Sequence, residues 1–140
     1  MKTQKNNLYF MQEAFKQAQK AAKKGEVPVG CVIVLHQKII AKAKNLVETK
    51  QNATQHAEII AIHKASKKLK NFRLNHCELF VTLKPCAMCT GALEKARIAK
   101  IYYAAEDLTE HKKTPLLVEK IHFPACGELL THFFQQKRKK

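Results

Sequence analysis

A three-layer α/β fold, one mixed central sheet of about five strands with helices on both faces, is what this sequence predicts. Three observations carry that expectation. Apolar residues at helical spacing alternate with short apolar runs, in the order helix, hairpin, helix, strand, helix, strand, helix. The 140 residues suffice for a real core, and a hydrophobic share of 46% is ordinary for a globular chain. No internal repeat, linker or low-complexity stretch precedes the tail, so residues 1–140 read as one domain ending in a basic helix and tail at about 125–140.

Leu8, Met11, Phe15, Ala18 and Ala22 recur at helical spacing over Leu8–Lys24, and Gly25 ends the run as glycine past a helix commonly does. Lys16, Lys20, Lys23 and Lys24 form its polar side, facing solvent or an anionic partner. Val27-Pro28-Val29-Gly30 leads into Cys31–Leu35, a strand apolar enough for burial on both faces. His36-Gln37 reads as a tight turn into Lys38–Ala43, closing a hairpin. Asn45–Gln55 is polar and irregular, a loop. Ile59, Ile60, Ile62 and Ala65 give the next helix its buried face, and Lys64, Lys67, Lys68 and Lys70 its wet one. His63 on that helix reads as a satisfied or exposed side chain, not a ligand.

Cys77–Val81 is a strand, Met88–Ala96 a helix and Ile101–Ala105 a strand. Strands joined through a helix should run parallel with right-handed crossovers, which puts a ligand site at strand C-terminal ends. A fifth strand is expected only as a stub near Leu116–Val118, inside the short segment Leu108–Glu119 that holds Lys112-Lys113-Thr114-Pro115. The last helix, about Ala125–Gln136, brings Phe133 and Phe134 before Lys137-Arg138-Lys139-Lys140. An aromatic beside a basic run suits base stacking and phosphate binding, while core phenylalanines with a frayed tail is the plain alternative; one Phe in each role is expected.

Lys and Arg number 26 against 11 acids, a formal charge of +15. That excess argues for a polyanionic partner, with nucleic acid favoured over membrane because no long apolar span or basic amphipathic anchor accompanies it; solvated lysine faces are the bland alternative. Of five cysteines, Cys31, Cys77 and Cys126 sit in apolar contexts and read as buried thiols, which fits a reducing cytoplasm better than a disulfide framework. The polar start, Met1–Asn7, has no secretory apolar core after it, so the expected location is cytoplasmic.

Chemistry concentrates in His56-Ala57-Glu58 and Pro85-Cys86-Ala87-Met88-Cys89. Imidazole and thiolate suit zinc, and three protein ligands (His56, Cys86, Cys89) leave a fourth position for water, as in catalytic sites. Both motifs fall where an apolar run gives way to a helical pattern, and a helix start favours thiolates and helps pin a metal. Glu58, two residues past His56, should project beside the metal and shuttle a proton from water to a ring nitrogen and a leaving amine, the chemistry of hydrolytic deamination. A C-x-x-C alone also fits redox chemistry or a closed structural zinc with His76 or Cys77 as fourth ligand. Neither accounts for Glu58 beside His56.

H-x-E followed by P-C-x-x-C is an established signature of base-deaminating zinc enzymes. On it the chain resembles the cytidine deaminase-like superfamily, and within it the bacterial tRNA-specific adenosine deaminases. The likeness runs from Glu26-Val27-Pro28-Val29-Gly30 through His56-Ala57-Glu58-Ile59 to Thr82–Ala92, and resumes from Cys126 to Phe134. It implies the cytidine deaminase-like fold, one Zn2+ per subunit, deamination of wobble adenosine to inosine in a tRNA anticodon stem-loop, and a homodimer. It also implies substrate contacts at Asn45, Val29, Ala57, Pro85, Asp107, Phe134, Lys137 and Arg138. On physical grounds alone Asn45 is equally suited to capping or turning the chain.

The chain departs from the pattern twice. Lys84 stands where similar deaminases usually carry glutamate, either tuning the surroundings of the thiolates or facing solvent. The segment after Asp107 is shorter than the glycine-rich loop of similar deaminases. Deamination of a free guanine- or cytidine-type base, nucleoside or nucleotide is the alternative enzyme. A non-catalytic RNA-binding protein of the same fold is the alternative outside enzymes, and the intact Glu58 argues against it.

Overall fold

The computed structural model describes residues 2–107 and 111–138, so Lys139, Lys140 and the first three residues of the segment 108–119 lie outside the described residues. Five strands form one sheet in the order β2-β1-β3-β4-β5, with β1 Gly30–Leu35, β2 Lys38–Lys44, β3 Cys77–Leu83, β4 Lys100–Ala105 and β5 Leu117–Lys120. β1 runs antiparallel to both neighbours, whereas β3, β4 and β5 run parallel, giving the expected mixed sheet. Helices α1 (Lys2–Lys23) and α5 (Pro124–Arg138) pack together on one face. Helices α3 (Ala57–Leu69) and α4 (Ala87–Lys95) cover the other, with the short α2 (Val47–Lys50) near the sheet end.

The buried stripe of α1 is Phe10, Met11, Ala14, Ala18 and Ala21, rotated from the expected one; Leu8 is 49% exposed and Phe15 sits on the flank against Phe123. Close approach explains the rotation. Gly30 faces α1 where any Cβ would overlap the Ala14 carbonyl and the Ala18 amide, so at that crossing helix and sheet are in backbone contact and the helix carries alanines there. On α3 the small residues Ala57, Ala61 and Ala65 are likewise innermost, and Ile60 and Ile62 pack around them only partly buried.

β1 is buried on both faces as anticipated. His36 and Gln37 both take positive φ, 50° and 67°, the geometry of a primed two-residue turn that matches strand twist. A register shift between Ile33 and Val34 adds a bulge to the hairpin.

Two elements differ from expectation. The segment Asn45–Gln55 is not an irregular loop throughout, because Val47–Lys50 forms α2. Its helical turn is held from outside: the fully buried Glu26 carboxylate accepts the Glu48 amide (3.1 Å), the Thr49 amide (2.6 Å) and the Thr49 hydroxyl (2.6 Å). β5 is longer and later than a stub at Leu116–Val118. It is an exposed edge strand tied to β4 by its ladder and by Lys100 Nζ to Glu119 Oε1 at 2.8 Å. Among the described residues no helix is long and apolar enough to cross a membrane.

Candidate active site

The two chemical motifs meet at the sheet end formed by the C-terminal ends of β3 and β4 and the start of β1. His56 is the N-cap residue of α3 and Cys86 that of α4, both in extended backbone, so each ligand leaves the chain at a helix start. Cys89 follows on the first turn of α4, on the same side as Cys86. His56 Nδ1 lies 3.3 Å from Cys89 Sγ and 3.7 Å from Cys86 Sγ, and the three ligand atoms lie within 4.8 Å of one another.

That group could hold a metal ion. Tetrahedral zinc with Zn–S of about 2.3 Å and Zn–N of about 2.0 Å sets neighbouring ligand atoms about 3.5 Å apart, close to the spacing found. The protonation chemistry points the same way. Burial lowers the His56 pKa and keeps the imidazole neutral, the form that ligates. Burial first, then the charges of Glu58 and Cys86, push the Cys89 thiol far above its ordinary range, so a thiolate here requires a cation beside it.

Glu58, on the first turn of α3, is 3% exposed. Burial raises its pKa to about 7, opposed by hydrogen bonds from its own backbone amide and from Cys89. A carboxyl poised near neutrality can both take and give a proton at working pH.

A cavity of about 340 Å³ opens over this group, lined by Val29, Asn45, Ala57, Glu58, His56, Cys86 and Asp107 among others. Its size suits one nucleobase with its sugar better than a larger ligand. Asn45 does not cap α2, whose N-cap residue is Leu46. The Asn45 amide N–H donates to the Val29 carbonyl (3.0 Å), and its side-chain Nδ2 donates to the Val27 carbonyl (3.5 Å). Its Oδ1 is buried, has no protein partner, and belongs to a residue on the cavity wall.

The other anticipated residues spread outward. Pro85 is buried behind the cavity and not on its wall. Its carbonyl meets His111 Nδ1 at 2.9 Å, which ties the short segment after Asp107 to the cysteine turn, and Lys112 Nζ adds a bond to Glu94 at 2.7 Å. Asp107 lines both the catalytic cavity and a second, about 700 Å³, between the β4 end and α5. Phe134, 45% exposed, lines that second cavity with Arg138, while Phe133 is half-buried with Lys137 Nζ 5.6 Å from its ring centroid. Phe133 is thus partly covered and Phe134 open, and neither belongs to the buried core. Lys84 lines the catalytic cavity and turns toward Glu106 (4.0 Å) and the Tyr103 ring (5.4 Å).

Sequence reasoning missed Glu26 as a wall residue and as the brace of α2. Only its place as a lone acid directly before an apolar run hinted at a buried role. His111 was missed as well, since a histidine in a polar segment carries no local signal.

The family model of MafB19-like deaminases matches residues 5–138. A tRNA-specific adenosine deaminase of Aquifex aeolicus (strain VF5) is 48% identical over 143 residues, covering 93% of this chain and 95% of its own. One from Bacillus subtilis (strain 168) is 40% identical over 145 residues, covering 94% and 90%. A solved structure from work on A-to-I editing by tRNA:A34 deaminases at the wobble position superposes with a TM-score of 0.76 at 35% identity, covering 81% of this chain and 98% of that one.

Proposed function

The chain belongs to the tRNA-specific adenosine deaminases of the MafB19-like deaminase family, and from that premise we propose that it hydrolyses adenosine to inosine at the wobble position of a tRNA anticodon. The observation that carries the reading is the placement of Glu58: a buried carboxyl beside the His56–Cys86–Cys89 group, on the wall of a cavity sized for one nucleoside.

His56, Cys86 and Cys89 would hold one zinc ion. When bound, zinc supplies water acidified to about neutral pKa, a nucleophile without a strong base. The chain's own residues do the rest. Glu58 takes a proton from the attacking water onto a carboxylate oxygen and delivers it to the ring nitrogen of adenine. It then carries a second proton to the departing amine, which leaves as ammonia, so water and adenosine become inosine and ammonia. Asn45 Oδ1 accepts an N–H from the base and fixes its orientation. Val29 and Ala57 form the apolar wall against which the ring lies, with Asp107 at the edge shared with the second cavity. Phe134 offers an open ring for stacking a neighbouring base, and Lys137 and Arg138 meet the backbone phosphates. Pro85 acts by shaping the cysteine turn.

The reading treats residues 1–140 as one catalytic domain in the cytoplasm, supported by five free cysteines, and as half of a homodimer. Support for the dimer is the apolar Met88, 39% exposed on α4 next to the cysteine turn. The test is Glu58→Gln: inosine formation should vanish while zinc content and RNA affinity stay near wild type. Undiminished turnover in that variant would overturn the role of Glu58.

A further inference from the structure

Lys20, Lys24, Lys44 and Lys64 gather at the edge of the sheet, on the side of the catalytic cavity away from α5. Lys20 and Lys24, four residues apart at the end of α1, share a face of the helix, whose turn continues through the Lys24 amide to the Ala21 carbonyl at 3.0 Å. Lys44 closes β2 and is half-buried. Lys64 of α3 reaches across β2 and donates Nζ to the Lys42 carbonyl at 2.8 Å. Burial first, then the charges of Lys24, Lys64 and Lys20, hold the Lys44 ammonium below the ordinary lysine range, so the other three cations all lie close enough to act on Lys44.

Among the described residues none of the four makes an ion pair, although Glu13, on the same helix, satisfies Lys16 (2.8 Å) and Lys42 (3.0 Å). The charge of Lys24 does reach Glu26, but that carboxylate is fully buried and its oxygens are engaged by α2. A concentration of unpaired charge that folding does not require marks an anion site.

Its position says which anion. Lys44 precedes Asn45, and Lys24 stands two residues before Glu26, both on the cavity wall. Lys64 is eight residues beyond His56 on α3, about 12 Å at 1.5 Å per residue. The patch thus begins at the cavity rim and extends away from it. Phe134, Lys137 and Arg138 lie on the other side, on α5 against β4 and β3.

We propose that Lys20, Lys24, Lys44 and Lys64 form a phosphate-binding patch that holds the backbone of the RNA substrate on the β2 side of the cavity, so that the flipped nucleotide is gripped from both flanks. The inference rests on the tRNA reading above and adds a second contact surface to it.

The test is the zinc-loaded full chain carrying Lys20→Gln, Lys24→Gln and Lys64→Gln. A control variant, Lys38→Gln, Lys95→Gln and Lys120→Gln, removes the same charge elsewhere. Affinity for an anticodon stem-loop with a wobble adenosine, and for an unpaired oligonucleotide of the loop alone, is measured as a function of salt. The patch variant should lose at least about tenfold in affinity and flatten the log–log salt slope by about 2 to 3, at about 0.9 per phosphate contact on a duplex and 0.7 on a single strand. Loss confined to the stem-loop assigns stem phosphates, and loss with both RNAs assigns loop phosphates. Lysine-to-arginine changes at the same three positions should retain binding. An unchanged slope, or an equal loss in the control variant, overturns the patch. Inosine formation by wild type is scored alongside. Its absence with the slope change intact would sink the deaminase reading and leave the patch standing, and its presence with no slope change would sink the patch alone.

Discussion

Replacing Glu26 by glutamine should loosen the segment that walls the catalytic cavity. In the wild type one carboxylate oxygen takes the Glu48 amide at 3.1 Å and the other takes both the amide and the hydroxyl of Thr49 at 2.6 Å, with the side chain fully buried. Glutamine puts an NH2 group in one of those places, so at least one charge-assisted bond becomes a donor facing a donor. Bonds to charged groups contribute about 1.5–3 kcal/mol each, and Glu48 and Thr49 are exposed enough for water to recover part of the loss. A net cost of about 2 kcal/mol follows, which raises the opening of α2 roughly 30-fold.

Hydrogen exchange of the Glu48 and Thr49 amides reads that opening directly, and KM for the RNA substrate should rise with it. Acid gives an independent check. Burial would raise the Glu26 pKa, but the bonds from Thr49 and Glu48 outweigh it and hold the carboxyl below its ordinary value. A lowered folded-state pKa means stability that is complete above the ordinary carboxylate range and is lost as pH falls through the folded value. Wild type should therefore lose protection in α2 on acidification, and Glu26→Gln should start from the loosened state and show no such step. Equal exchange rates in wild type and variant at neutral pH would refute the brace.

Three other outcomes are expected. Gly30→Ala forces a Cβ into the α1 backbone, where neither partner can yield, and should cost about 3 kcal/mol or more in a denaturant titration. Asn45→Leu removes an acceptor with no protein partner and one long donor bond to the Val27 carbonyl (3.5 Å), so folding stability should fall by no more than about 1 kcal/mol while kcat/KM falls about tenfold or more. Cys89→Ser should reduce bound zinc measured by atomic absorption and abolish activity; a stoichiometric ion in that variant would contradict the ligand assignment.

The candidate site was legible in the sequence because its geometry is local. A histidine two residues before a glutamate, and two cysteines three apart after a strand, each sit on the first turn of a helix, so spacing alone decides which way they point. The hairpin was legible for a similar reason, as an apolar run, two turn residues and a second run. Longer-range matters were not. Which apolar residues of α1 face inward depends on Gly30, sixteen positions past Ala14, and the choice of Ala14 and Ala18 over Leu8 is set by backbone contact that no helical period encodes. α2 has no propensity signal over four residues, since its order comes from Glu26, more than twenty positions earlier. The basic patch was hidden because its lysines come from α1, β2 and α3, and only the folded sheet edge brings them together. In sequence, two of them belong to the polar side of one helix and a third to the wet face of another.

Incubation of the purified, zinc-loaded protein with an anticodon stem-loop carrying a wobble adenosine, read as inosine by mass, tests the central claim most directly. Free adenosine, cytidine and guanine run alongside. The account predicts inosine at that one position of the RNA and no turnover of the free compounds. Turnover of a free base or nucleoside with none in the RNA would contradict it.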